Sequence, residues 1–302
     1  MNELILHHYS ISPYAEKIRA ILGFKKLTWR SVTIPVIMPK PDLTALTGGY
    51  RLTPVLQVGA DIYCDTKVIA RRLEEERPAP TLYPDDFAAI TRAVSLWGEA
   101  LFMSLVTLGL ASGAFPREFI EDRRKMVPGG IDEAQARTVM PSRLDHIRAT
   151  LDLFERQLAD GRPFVLGEAA SLADFSMYHP LWAMRGNPLS AVFLAPHVRV
   201  GRWLDRMAAF GHGTATEMTA ADAVRTAREA TPTTQPAEDP GDPSGRHVGD
   251  RISVFPEAYG RDPVEGEIVR ADAHSIAIRR RDERVGEVVV HFPREGTIIL
   301  AA

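Results

Sequence analysis

Residues 52 to 66 read LTPVLQVGADIYCDT. Pro54 to Val58 is a short apolar run, Gly59-Ala60-Asp61 a tight glycine turn, and Ile62-Tyr63-Cys64 a second run, so the stretch predicts a β-hairpin. From Asp65 to Arg77 the period changes: Val68, Ile69 and Leu73 share one helical face, and Pro78 stops the helix. Upstream, Thr28 to Ile34 is rich in β-branched residues and ends at Pro35, predicting a strand followed by a Pro-rich irregular segment through Pro41. Pro13 to Gly23 sets Tyr14, Ile18, Ile21 and Leu22 on one stripe of an amphipathic helix ended by glycine, and Leu4 to Leu6 is a short apolar strand. The order strand, helix, strand, hairpin, helix implies a mixed sheet covered by helices, an α/β unit over residues 1–80.

Downstream, strand signals nearly vanish between Asp85 and Ala230. Ile90, Val94, Trp97 and Leu101 form one helical stripe, and Leu144, Ile147, Leu151 and Phe154 another. Ser171-Leu-Ala-Asp174 looks like a capping box with Asp in place of Glu, and further helices are expected over 196–210 and 215–230. An all-α bundle over 85–230 follows. Residues 231–246, TPTTQPAEDPGDPSGR, carry four Pro and two Gly and read as a linker. Beyond it, β-branched runs at 252–255, 266–270, 275–279, 285–292 and 297–300 predict a small barrel-like or rolled β domain over 247–302.

At 302 residues, with 45% hydrophobic and 25% charged residues, the chain has room for two or three domains and is not disordered as a whole. No run of about 18 apolar residues occurs, and the start at Met1, Asn2 and Glu3 lacks the pattern of a signal peptide, so a cytoplasmic protein without a membrane partner is expected. Cys64, the one cysteine, forbids an intramolecular disulfide and a multi-cysteine zinc cluster. The formal net charge is −3, and residues 245–302 hold nine Arg against ten acidic residues. That balance offers no footprint for nucleic acid.

Three segments, HHYSISPYAEKIR at 7–19, LTPVLQVGADIYCDT at 52–66 and SLADF at 171–175, together resemble the cytosolic glutathione transferases. The resemblance covers residues 1–230 and implies a thioredoxin-like N-terminal domain joined to a helical domain. It leaves the C-terminal β region uncovered. Ser12 before Pro13 is a good N-cap in its own right. The resemblance implies a second role there, a hydroxyl that hydrogen-bonds the glutathione sulfur and favours the thiolate at the positive end of a helix. Tyr9 and Ser10 compete for this catalytic role. By the same resemblance, Thr53 and Pro54 present backbone groups to the cysteinyl part of glutathione through a cis peptide. Asp65 and Thr66 bind its γ-glutamyl ammonium and carboxylate at a helix N-terminus. Tyr14, Phe102 and Met103 are candidates to line an electrophile pocket.

Other residues have structural readings: His7 and His8 as strand positions with no metal role, Cys64 as a buried thiol, Trp97 as core and Asp174 as a cap. The implied activity is transfer of glutathione, the one co-substrate expected, to a small hydrophobic electrophile by a homodimer, with no metal. Serine at position 12 argues against glutathione-dependent reduction. The alternative is a non-catalytic binding or regulatory protein on the same scaffold, using the C-terminal β domain for partner contact. The Pro-rich linker marks that β domain as an accessory module, removable after about Ala230.

Overall fold

A computed structural model describes residues 3–84 and 88–302. Met1, Asn2 and Asp85, which the sequence reading uses, lie outside the described residues. The first unit follows the expected order: β1 (Leu4–His8), α1 (Pro13–Phe24), β2 (Thr28–Thr33), α2 (Pro41–Thr47), β3 (Val55–Val58), β4 (Asp61–Cys64) and α3 (Thr66–Glu76). β1 runs parallel to β2 and antiparallel to β3, and β3 and β4 form the hairpin, with Val55 opposite Cys64. Helix α2 replaces the irregular segment expected from the prolines. Pro41 occupies its first turn, where the missing N–H costs nothing, and Gly48 ends it in the left-handed conformation.

Helices α4 (Ala88–Ala111), α5 (Arg117–Arg124), α6 (Glu133–Gln157), α7 (Leu172–Gly186), α8 (Pro188–Ala191) and α9 (Val198–Ala208) make the bundle. By length and composition α4 is apolar enough to cross a membrane, and in the fold it packs on α6 and α7. Of the expected stripe, Leu101 is buried and Val94 and Trp97 pack half-buried on the core, whereas Ile90 is exposed; Thr91, Ser95 and Gly98 complete the buried face. The reason is close approach: a Cβ on Gly98 would lie 2.4 Å from the Ser176 carbonyl oxygen, and the Ser95 and Ser176 hydroxyls are hydrogen-bonded at 2.8 Å. Trp97 is half-buried and meets Phe154 edge-on. Asp174 caps α7, accepting from the Ser171 and Val165 amides and from the Trp203 indole. Burial pushes its carboxyl up against the pull of these bonds.

Where one helix is expected over 215–230, a strand, β5 (Thr214–Glu217), precedes α10 (Ala220–Glu229). All four β5 residues are exposed, and the strand adds in parallel to the free edge of β2. The C-terminal strands β6 (Arg251–Pro256), β7 (Val264–Ala271), β8 (Ser275–Asp282), β9 (Gly286–Pro293) and β10 (Thr297–Ala301) lie close to their predicted positions. Their arrangement differs from a closed barrel. They succeed one another as β10-β6-β7-β8-β9, and β9 then pairs in parallel with β4, giving one ten-stranded sheet. Ile5, Val55, Ile62, Val254, Ile278 and Phe292 accordingly belong to one hydrophobic cluster.

The Pro-rich segment between these parts is tied down by polar contacts. Asp61 on β4, almost fully buried, accepts from the Thr233 amide and hydroxyl and from the Thr234 hydroxyl at 2.6–2.7 Å. Farther along, Arg294 after β9 pairs with Asp242 at 3.0 Å and Asp239 at 3.4 Å. On the other face Arg280 donates to the Ala45 carbonyl of α2, and Arg284 pairs with Asp42.

Candidate functional site

The turn between β1 and α1 brings Tyr9, Ser10 and Ser12 together. Ser12 caps α1, its Oγ accepting from the Ala15 amide at 3.2 Å, while its carbonyl accepts from Glu16 N–H. Capping uses a lone pair and leaves the hydroxyl proton free to donate. Of the α1 first-turn amides, Pro13 has no N–H, and Ala15 and Glu16 are occupied. The Tyr14 N–H has no partner among the described residues. Ser12 is only 3% exposed, so a group it met would be shielded from water, where hydrogen bonds and helix dipoles act more strongly.

A buried polar network holds this turn from beneath. Arg19 pairs with Glu16 at 2.7 Å and donates to the Ser10 carbonyl at 2.8 Å and the Tyr9 carbonyl at 3.4 Å. Nη1, which reaches the Tyr9 carbonyl, also lies 3.0 Å from His8 Nδ1. Burial pushes the Glu16 carboxyl up, but bonds from His212 and Arg19 outweigh it and hold the group below its ordinary value. His8 bonds Ser31, and burial followed by Arg19's charge lowers it to about 4. His7, also lowered to about 4 by burial, bonds Gln57. Both imidazoles are engaged in structural bonds. Cys64 is buried, which pushes its thiol well up.

Next to the turn lies a cavity of about 210 Å³. Tyr14, Thr53, Pro54, Asp65 and Thr66, from α1, β3 and α3, all line it. The Thr53-Pro54 peptide is cis. Thr53 Oγ1 is buried and without a hydrogen-bond partner among the described residues, an orphaned polar atom at the wall. Asp65, not Thr66, caps α3, its Oδ1 accepting from the Lys67 amide at 2.8 Å while Oδ2 lies 3.8 Å from the Lys67 ammonium. Its φ of 89° with ψ 139° is a sparsely populated conformation for a non-glycine residue, with a strain of about 1–3 kcal/mol. Thr66, freed from capping, keeps both its hydroxyl and its amide without partners among the described residues. These two donors at a helix N-terminus suit a carboxylate, and Asp65 Oδ2 suits an ammonium.

The remaining candidates lie elsewhere. The Tyr9 hydroxyl is 3.4 Å from Arg123 Nη2, with the Lys40 ammonium 5.5 Å from its ring. Ser10 is exposed. Phe102 reaches the site indirectly, edge-on to Tyr14 at 5.1 Å. Met103 is 51% exposed on α4 and does not line the cavity. Among the described residues no group of three or more His, Cys, Asp or Glu could hold a metal ion.

Two features have no sequence signal. Lys17, one turn into α1, is 5% exposed and without an ion-pair or hydrogen-bond partner among the described residues. Burial lowers its ammonium to about 8, against the opposing fields of Asp65 and Glu99. The second is the wall supplied by the C-terminal strands, where Pro256 to Tyr259 and Gly296 line the same cavity as Thr53 and Asp65. Burial, then the charge of Asp65, pushes the Tyr259 phenol up to about 12. A tyrosine in a turn between two strands carries no pattern that would connect it to a site some 200 residues earlier.

Comparison with known proteins agrees with this architecture. Residues 6–81 match the family described as "Glutathione S-transferase, N-terminal domain", and residues 130–206 match "Glutathione S-transferase, C-terminal domain". A GST-like protein from Pseudomonas syringae, known as a crystal structure, is 42% identical, with all of both chains covered and a TM-score of 0.83. A glutathione S-transferase from Methylobacillus flagellatus KT, solved with glutathione bound, is 21% identical over 71% of this chain and 100% of its own, with a TM-score of 0.55, a likeness of fold. FtsZ-localized protein A of Caulobacter vibrioides is 26% identical over 182 residues, 58% of this chain and 74% of that protein. With a 42%-identical relative matched from end to end, C-terminal strands included, the chain belongs to the glutathione S-transferase-like proteins.

Proposed function

We propose that the protein binds glutathione as its thiolate in the cavity between α1, β3 and α3 and transfers it to a small electrophile. The observation that carries this reading is the set of free donors on one cavity wall, the Thr66 hydroxyl and amide and the orphaned Thr53 hydroxyl, with Tyr14 of α1 lining the same cavity; Ser12, two residues before Tyr14, caps that helix beside the cavity without lining it. In this reading Thr66 takes the γ-glutamyl carboxylate, Asp65 the ammonium, and the Thr53 backbone the cysteinyl unit. Ser12 donates to the sulfur. Because the free thiol titrates near 8.5, a donor that favours the anion raises the fraction of nucleophile at neutral pH. The thiolate then attacks the electrophilic carbon and the leaving group departs with its electron pair. Tyr9 and Ser10 are less well placed. The Tyr9 hydroxyl is directed to Arg123, and Ser10 is turned to solvent. Phe102, through Tyr14, shapes the apolar side, and Met103 has no support at this cavity.

The assembly belonging to this reading is a cytoplasmic homodimer. The exposed Ile90, Leu96 and Met103 on α4 support the dimer. A second reading, a binding or regulatory protein on the same scaffold with the C-terminal strands as contact surface, draws on the likeness to FtsZ-localized protein A. Turnover of a chlorinated aromatic with glutathione separates the two. The first reading expects conjugate formation that depends on Ser12. The second expects glutathione-independent partner binding and no conjugate.

A further inference from the structure

Part of the wall of the proposed glutathione cavity, Glu257 to Tyr259, comes from the connection between β6 and β7, residues 257–263. This connection is pinned at three points. Glu257 N–H donates to the Gly296 carbonyl at 3.0 Å, Gly260 N–H donates to the Met126 carbonyl at 2.8 Å, and Asp262 lies 3.8 Å from Arg51. Arg51 is itself held by Asp122 at 2.9 Å, so the strap bridges the first unit, the helical bundle and the C-terminal strands. Gly260 is needed at the middle pin. Its φ is 69°, and a Cβ there would stand 2.9 Å from Leu52 Cδ2 and 3.3 Å from Met126 Cε. Tyr259, next to this pin, lines the cavity together with Thr53 and Pro54. Its hydroxyl has no hydrogen-bond partner among the described residues. The cavity, partly open to solvent, holds about 210 Å³, below the roughly 300–1,000 Å³ usual for small-molecule sites.

We infer that Tyr259, carried by this strap, is a specificity-determining residue that limits the group attached to the glutathione sulfur to a small one. The inference rests on the proposed glutathione site and adds the substrate class: small electrophiles, with bulky aromatic ones excluded by the ring. Tyr14, Thr53 and Pro54 line the same cavity as Tyr259, so a substituent on the sulfur there shares its space with the Tyr259 ring. The role is steric, so the ring matters and the hydroxyl does not.

The test uses the full chain and measures affinity for glutathione, S-methylglutathione and S-hexylglutathione by calorimetry. Wild type is expected to bind the S-methyl compound at least tenfold more tightly than the S-hexyl one. Tyr259→Phe should keep that ratio, Tyr259→Ala should reduce it to near one or invert it, and Tyr259→Trp should weaken the S-methyl compound as well. The Trp variant keeps the test open if the Ala variant does not fold. Equal affinity of wild type for the two S-substituted compounds, or an unchanged ratio in Tyr259→Ala together with unimpaired S-methyl binding in Tyr259→Trp, overturns the inference while glutathione binding stands. Failure of wild type to bind glutathione at all overturns the reading beneath it.

Discussion

His291 of β9 stacks on Tyr63 of β4, ring centroids 4.3 Å apart and planes 13° from parallel. The contact lies on the seam where the C-terminal strands continue the sheet of the first unit, with Tyr63 opposite His291 in the β4–β9 ladder. Beside it, His291 Nε2 is 3.0 Å from the Thr234 hydroxyl, so strand, seam and linker meet at one point.

Truncation after Ala230 therefore exposes the β4 edge and the apolar side of Ile62, Val55 and Ile5. The truncated chain is expected to aggregate, or to melt at least about 10 °C below the full-length protein. Light scattering and thermal melts in one buffer check this. A monodisperse fragment with an unchanged melting temperature restores the accessory-module expectation.

Asp61 is held down to about 2, because the bonds from His291, Thr234 and Thr233 outweigh the desolvation that pushes it up. An unfolded carboxyl titrates near 3.8, so this contribution is complete above about pH 5. It is lost as the pH falls through the window from 3.8 towards 2. Asp61→Ala should cost about 3 kcal/mol at pH 7 and flatten the acid limb of the stability curve. Denaturant unfolding at several pH values measures both effects.

The runs that predict β6 to β10 are legible because β-branched residues cluster between turn residues, with burial alternating in β6 and continuous over Val288 to Pro293 of β9. Their partner is not. A parallel ladder between β4 and β9 joins residues more than 200 positions apart and leaves no local signature, while the turn at Gly59 explains β4 as half of a hairpin by itself. Strand β5 escapes because an edge strand exposed along its length, Thr214-Ala-Thr-Glu, shows no alternation of burial. Prolines hide α2, although Pro41 starts it. At the site, Ser12, Thr53, Pro54, Asp65 and Thr66 are legible as two short segments at strand-to-helix turns. Lys17 and Tyr259 are not, since burial of a charge and the fall of a loop across a cavity are properties of the assembled chain.

Lys17 is protonated at neutral pH in both states, with a lowered folded value of about 8 against 10.5 unfolded. Between those values the unfolded chain binds more protons, so stability rises with pH across the window. Lys17→Met should stabilise the protein by about 3 kcal/mol at pH 7 and remove that rise. Thermal melts from pH 7 to 10 decide it. A destabilised variant would mean that the ammonium has an anionic partner in the folded protein.

Thr66→Ala removes a hydroxyl with no structural partner among the described residues, so the fold should be unaffected. Loss of a charge-assisted bond worth about 1.5–3 kcal/mol should raise the glutathione dissociation constant roughly ten- to a hundredfold. Titration calorimetry with unchanged affinity would move the γ-glutamyl end of the ligand elsewhere.

The most direct measurement of the account is the ultraviolet thiolate absorbance of bound glutathione, followed against pH in wild type, Ser12→Ala and Tyr9→Phe. In wild type the thiolate should form well below the free-thiol value of about 8.5, Tyr9→Phe should leave that midpoint in place, and Ser12→Ala should move it up by about one unit or more with most binding retained. A midpoint that moves in Tyr9→Phe and not in Ser12→Ala, or bound glutathione that titrates like the free thiol in wild type, contradicts thiolate activation at Ser12.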